Sequence, residues 1–334
     1  MIARSAIVAL AVAGSAIVLS AAPLQNRKTD TAINGTVAIG VACGDGTFVP
    51  VAARIKNRWK PLIEEEGSLG NVYGVFTSDA RRLPRQGWTL YPPRAGAPQP
   101  LSLKSPLKKD ESSGCLGVAG FKSDAPRLPP RHVRPYRGSD WAPQFGGIGL
   151  LGPARFEHGE DVTAQPDEDS RRVAANIVRH VQAVERRILR DSRQPTLERF
   201  AGRTEVRSVV RLMSMTRYRT DDGEWYFFQA RKQYGEWYVF EGERMYKDWA
   251  RLLVHGWIRS SSGGLCVHGL DGRFVDDDWK IASVYRMTGV LVLDDRTVWI
   301  AESSGYESQW YELFEIGPGN SPPHSVLSVP NGGF

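Results

Sequence analysis

Between residues 205 and 316 the chain alternates runs of β-branched and aromatic residues with short turn sequences. EVRSVVRLMSMTRYR runs into Asp221-Asp222-Gly223, and EWYFFQARKQY into a turn expected at Gly235, followed by EWYVFEG. LLVHGWI, a Ser/Gly turn, LCVHGL, VYRMTGVLVL, Asp294-Asp295, RTVWIAE, a turn around Ser304-Gly305 and QWYELFEI continue the pattern. Strand-length runs joined by tight turns predict antiparallel meanders, because neighbours in sequence then pair in space. GEWY occurs at 223–226 and again at 235–238. That offset fits successive strands separated by a turn. The fold class expected is therefore mainly β (α+β), with an Ig-like sandwich or an incomplete propeller-like arrangement as its form.

The N-terminal half carries the same signal in shorter pieces. TVAIGVAC (36–43), the turn Gly44-Asp45-Gly46 and TFVPVAARI (47–55) form a hairpin signature, with Gly supplying positive φ. NVYGVF (71–76), WTLYP (88–92), LSLKSPL and CLGVAGF add short runs. Residues 125–145 are dense in Pro, Arg and Gly and sustain neither a helix nor a central strand. The reading is an N-terminal β unit over 35–152 with Pro-rich loops, a boundary around 153–166, and a C-terminal antiparallel β domain over 166–318. DGxFV occurs at 45–49 and 271–275, a short match between the two halves.

One segment is helical, from about Asp169 to Arg190. Val173, Ile177, Val181, Val184 and Ile188 recur at spacings of four, four, three and four and build one apolar stripe. Asp167-Glu168-Asp169 suit the helix start, Arg186, Arg187 and Arg190 suit its end, and Pro195 stops it. The polar face carries Arg171, Arg172, Arg179 and Arg186. Such a helix can lie on a membrane surface, but its apolar face lacks Trp and Phe, so docking on a sheet is expected.

Residues 1–22 read as a secretory signal. Arg4 is the only charge, Ala6–Leu19 is apolar, and Ser20, Ala21 and Ala22 are small, which places cleavage near Ser20–Ala22. The apolar run falls short of the roughly 20 strongly apolar residues of a spanning helix. A soluble periplasmic or extracellular protein is expected, one that does not span the membrane after processing. A 41% hydrophobic content with ten Trp supports a true core and excludes wholesale disorder. The formal charge of +6 permits attraction to anionic envelope polymers. The chain holds three cysteines, Cys43, Cys115 and Cys266. Outside the cytoplasm two of them pair, and Cys43 with Cys115 is the expected bridge because both lie in similar strand-like settings.

MTGVLVLDDRTVWIAESSGYESQWYELFEI (287–316) and GDGTFVPVAARIKNRWKPL (44–62) resemble stretches of uncharacterised exported bacterial proteins. The resemblance implies a secreted, mainly β protein. It implies no activity, cofactor or site residue.

Chemistry-bearing clusters are sparse. Cys266 and His268 sit at i and i+2 of a strand and share a face, the pairing a cysteine nucleophile needs. Asp271, Asp276, Asp277 and Asp278 place oxygen ligands around Gly272, though not at EF-hand spacing, and turn formation explains them as well. FEHGED (156–161) gathers Glu157, His158, Glu160 and Asp161, but HExxH is absent. No serine-hydrolase elbow, P-loop, dinucleotide fingerprint or nucleic-acid motif occurs. No metal or cofactor is expected. Aromatics crowd the C-terminal half, and Trp225, Trp237, Trp299, Tyr306 and Trp310 are the binding candidates, since exposed aromatics hold sugars and protein partners. The leading expectation is an exported non-catalytic module that binds an envelope partner or a polysaccharide. The alternative is a secreted hydrolase built on Cys266/His268 or on a carboxylate pair.

Overall fold

Gly40 and Gly149 face each other across two adjacent strands, and the ring of Phe48 fills the space their missing side chains leave. A Cβ on either would lie 2.3 Å from a carbon of that ring. This packing lies in the first of the three large sheets described, beside a smaller two-stranded one. The computed structural model describes residues 36–66, 73–93, 96–107, 120–128, 145–191, 209–220, 223–276, 284–294, 296–304, 309–317 and 321–331. The signal segment and Cys115 lie outside the described residues.

The strands of the N-terminal half are β1 (Val37–Cys43), β2 (Thr47–Ile55), β3 (Arg58–Pro61), β4 (Ile63–Glu66) and β5 (Tyr73–Phe76). After helix α1 (Ser78–Arg82) come β6 (Trp88–Tyr91), β7 (Gln99–Leu101), β8 (Leu103–Pro106), β9 (Phe121–Ser123) and β10 (Phe145–Leu151). Two short strands, β11 (Arg155–Glu157) and β12 (Glu160–Asp161), precede helix α2 (Glu168–Asp191). The remainder is β13 (Val209–Thr220), β14 (Gly223–Phe240), β15 (Glu243–Ser261), β16 (Gly264–Asp276), β17 (Val284–Val292), β18 (Thr297–Ser304), β19 (Gln309–Ile316) and β20 (His324–Asn331). The molecule is mainly β, its described pairings are antiparallel, and α2 is the one long helix among the described residues.

The first sheet runs β7-β6-β10-β1-β2-β9-β8, with β3 on the side of β2. The second runs β11-β17-β18-β19-β20, and the third β12-β13-β14-β15-β16. The second sheet is the middle layer. Val298, Ile300, Leu291 and Leu313 pack with Val37, Ile39, Val41 and Ile148 of the first sheet. Their neighbours Trp299, Ala301, Val290 and Phe314 pack with Trp225, Phe227 and Trp257 of the third. Burial on both faces explains why RTVWIAE carries bulky apolar residues at successive positions. Beyond the third sheet, Val173, Ile177, Val181 and Val184 of α2 cover Tyr226, Phe228, Leu252 and Val254. Residues 33–334 form one compact unit. Side chains from both 35–152 and 166–318 meet in one core.

Gly235 does not turn the chain. β14 continues through it to Phe240, and the reversal falls at Glu241-Gly242, both at positive φ. Gly235 instead marks a register shift against β15. A residue without a side chain lets a long strand bend there without ending it. Both GEWY copies consequently lie on one strand.

Candidate functional site

The face of the third sheet that looks toward the middle layer changes character along its length. On β14, Trp225 and Phe227 are buried under the middle sheet, whereas Gln229 and Arg231 continue the same face as polar groups. Across the ladder, Ser214, Thr216 and Tyr218 pair with Gln229, Phe227 and Trp225. His255 pairs with Gln229 on the other side. Where the apolar cover ends, a cleft of about 580 Å³ opens between β13, β14 and β17. It is lined by His158, Asp161, Ser214, Thr216, Gln229, Tyr285, Arg286 and Thr288, with Met213, Met287 and Pro93 among its apolar walls.

Two strand irregularities shape it. The β13–β14 register shifts between Leu212 and Ser214, at Met213, and the β17–β18 register shifts between Met287 and Gly289, at Thr288. A bulge re-aims side chains that a regular strand would bury, and bulges concentrate beside binding sites. Gly159 lets the β11–β12 turn close over β13, since a Cβ there would lie 2.3 Å from Thr216 Cγ2. That approach brings in His158, whose ring meets Phe156 edge-on at 5.1 Å. Its Nε2 is enclosed without a hydrogen-bond partner among the described residues, and burial lowers the pKa of the ring. Tyr285 packs its ring 4.6 Å from His255. Burial and then the charge of Glu312 push its hydroxyl up to about 12, so it remains a neutral donor and acceptor. Burial likewise depresses His255, opposed by Asp271. The Thr288 hydroxyl donates to Ile300 O at 2.8 Å. Arg286 stands 3.9 Å from the carboxylate of Glu302.

The aromatic candidates fall elsewhere. Trp225 and Trp299 are 2% and 0% exposed and serve as core. Trp310 is half-buried. Tyr306 and the side chain of Trp237 lie outside the described residues. Trp225 and Tyr226 point to opposite faces of the sheet, and both are covered, which takes this pair out of contact with solvent. Cys266 is a free, exposed thiol on β16. His268 two residues away is turned to Trp225, ring centres 5.3 Å apart, and no hydrogen bond joins it to Cys266 among the described residues. Burial, and then the charge of Arg259, lowers the pKa of His268. Arg259 itself stacks over the Trp225 ring.

FEHGED separates into different tasks. Glu157 pairs with Arg155 at 2.7 Å. Asp161 accepts from Thr163 N at 2.9 Å. Glu160 accepts from Arg217 at 2.7 Å. Asp271 lies within β16, not in a turn, and accepts from the backbone N–H of Gly272 at 2.8 Å. Asp277 and Asp278 lie outside the described residues. Among the described residues no three metal-ligating side chains converge.

Sequence reading missed Ser214, Thr216, Gln229, Tyr285, Arg286 and Thr288. One signal was present: Gln229 interrupts the face begun by Trp225 and Phe227, a polar residue where an apolar one would continue the core. Comparison with known proteins finds no matching family model, no matching curated protein and no matching solved structure.

Proposed function

We propose that this chain is an exported, non-catalytic module that holds a segment of polysaccharide in the cleft between β13, β14 and β17. The observation that carries the reading is the convergence of hydroxyl, amide and imidazole groups where two bulges interrupt the sheets. Ser214, Thr216, Thr288, Tyr285, Gln229 and His158 offer mostly neutral donors and acceptors. Met213, Met287 and the Tyr285 ring offer apolar surface. A sugar ring presents the same mixture, hydroxyls at its edge and C–H groups on its face. Export is supported by the leader at 1–22. A Cys43–Cys115 bridge, with Cys266 left as the free, exposed thiol, is part of the same reading. Among the described residues no helix is long and apolar enough to cross a membrane.

The test is calorimetric titration of the purified protein with neutral oligosaccharides, cellohexaose and chitohexaose among them. Thr216→Val and Gln229→Leu should each weaken the ligand that binds by about tenfold, the scale of one lost buried hydrogen bond. Thr216→Val keeps the strand's shape and guards against misfolding as the cause. Failure of every oligosaccharide to bind, or equal binding by both variants, sinks the reading.

A further inference from the structure

α2 turns its apolar stripe into the core and an arginine stripe outward. Arg171, Arg172, Arg179, Arg186, Arg187 and Arg190 are all exposed. Arg172, Arg179 and Arg186 recur every seven residues, which on a helix is nearly two full turns and about 10 Å of axial rise. They form a line about 21 Å long on the side opposite Val173, Ile177 and Val184. Small or neutral residues separate them: Ala175, Asn176, Gln182 and Ala183. Between Arg171 and Arg190 the sequence has one acidic residue, Glu185. Its carboxylate is withdrawn to β14, where it accepts from Lys232 at 2.5 Å and from Tyr234 at 2.6 Å. Between Arg172 and Arg186 the sequence thus places no other acid on the stripe.

The guanidinium groups are also partly positioned. Arg171 and Arg186 donate through Nε to the backbone carbonyls of Asp167 and Gln182, both at 3.3 Å. Arg179 donates to Asn176 Oδ1 at 2.6 Å. Arg172 meets Asp169 at 3.0 Å, with both side chains 60% exposed, a pair too solvated to consume the charge. Binding through Nε to the helix itself fixes the plane of the fork while leaving Nη donors for an oxyanion. Arginine, unlike lysine, engages carboxylates and sulfates in a two-point fashion.

We infer that this outer face of α2 is a docking surface for a linear acidic polysaccharide, whose carboxylates or sulfates lie along the arginine line. Charge complementarity and the regular spacing select a polyanion over a single small anion. The inward turn of the apolar stripe favours a polymer over a membrane, because an amphipathic helix that lies in lipid buries its apolar face there. The surface is separate from the cleft and stands whether or not the cleft holds a sugar.

The experiment titrates the full chain with polygalacturonate, with galacturonic acid monomer, and with vesicles containing anionic lipid. The expected result is polygalacturonate binding that weakens steeply with added salt, with the monomer and the vesicles bound far more weakly. The triple variant Arg172→Gln, Arg179→Gln, Arg186→Gln should lose at least about tenfold in affinity. The triple variant Arg58→Gln, Arg81→Gln, Lys104→Gln removes the same charge from elsewhere and should change affinity by less than about threefold. Thr216→Val should leave this binding unchanged. Equal loss in the two triple variants, loss in Thr216→Val, or vesicle binding as tight as polymer binding would each overturn the proposal.

Discussion

Phe48 shows how one aromatic residue fixes the composition of its neighbours. Its ring occupies the pleat above Gly40 and Gly149 and meets Trp88 edge-on at 4.9 Å. The two glycines differ in what else surrounds them. A Cβ on Gly149 would meet little beyond the Phe48 ring, whereas one on Gly40 would also lie 2.7 Å from the carbonyl oxygen of Val49. Gly149→Ala should destabilise by about 2–3 kcal/mol in urea unfolding, the cost of overpacking a filled core. Phe48→Leu in the same chain should relieve most of that penalty, since the ring edge is the obstacle. The same second change should relieve little of Gly40→Ala, because a backbone carbonyl cannot step aside. Additive energies for the Gly149 pair in a double-mutant cycle would show that ring and glycine do not oppose each other. Nothing in the local sequence announces this arrangement. GVAC and GGIGLLG read as strands, but only their antiparallel register places Gly40 opposite Gly149.

α2 is the element most legible from sequence and also the one most firmly tied down. The apolar spacing predicted 169–190, and the helix runs from Glu168 to Asp191. Helical periodicity is local, so a single chain displays it whatever the helix packs on. Its anchors were not legible. Asp167 caps the first turn by accepting from Ser170 N at 2.8 Å, and it also accepts from Arg217 at 2.6 Å. Arg217 is 3% exposed and reaches Glu160 and Asp167 together. Ser170, and after it Arg217, hold the Asp167 carboxyl well below its ordinary value. Burial raises Glu224, but hydrogen bonds from Tyr226 and Arg219 and the charge of Arg217 outweigh it and leave it lowered. Both groups bind fewer protons folded than unfolded in acid. Their contribution is therefore complete above the ordinary carboxylate value of about 4 and is lost as pH falls below it. Arg217→Met should lower the urea midpoint at pH 7, and the difference from the parent chain should shrink by pH 3. A difference that is the same at both pH values would mean that Arg217 acts through packing alone. The pairing escapes sequence analysis because Glu160 and Arg217 are brought together by the β12–β13 ladder, not by spacing.

At the scale of the whole molecule, strand content and antiparallel pairing were readable, and the order of the layers was not. The turn pairs at Asp45-Gly46 and Asp294-Asp295 mark hairpins, yet no local pattern says that the hairpins of 284–316 slide between two other sheets. The strongest hint was the unbroken apolar run of VLVL and VWIA, which signals cover on both faces. The compartment reading is testable at this scale. Thiol titration of the unfolded, unreduced chain should find one reactive cysteine, Cys266, and three after reduction. Three before reduction would remove the Cys43–Cys115 bridge and with it one support for export.

The middle sheet carries a further consequence, which concerns time as well as space. Apart from β11, its strands, β17 to β20, follow those of both other sheets along the chain. A ribosome delivers residues 37–151 and 209–276 before 284–331, and both sheets must then hold an apolar face open to water. The layer that joins them arrives after both. The chain is thus like an arch whose keystone is laid late: its two sides are made early, and neither is sealed until residues 284–331 emerge.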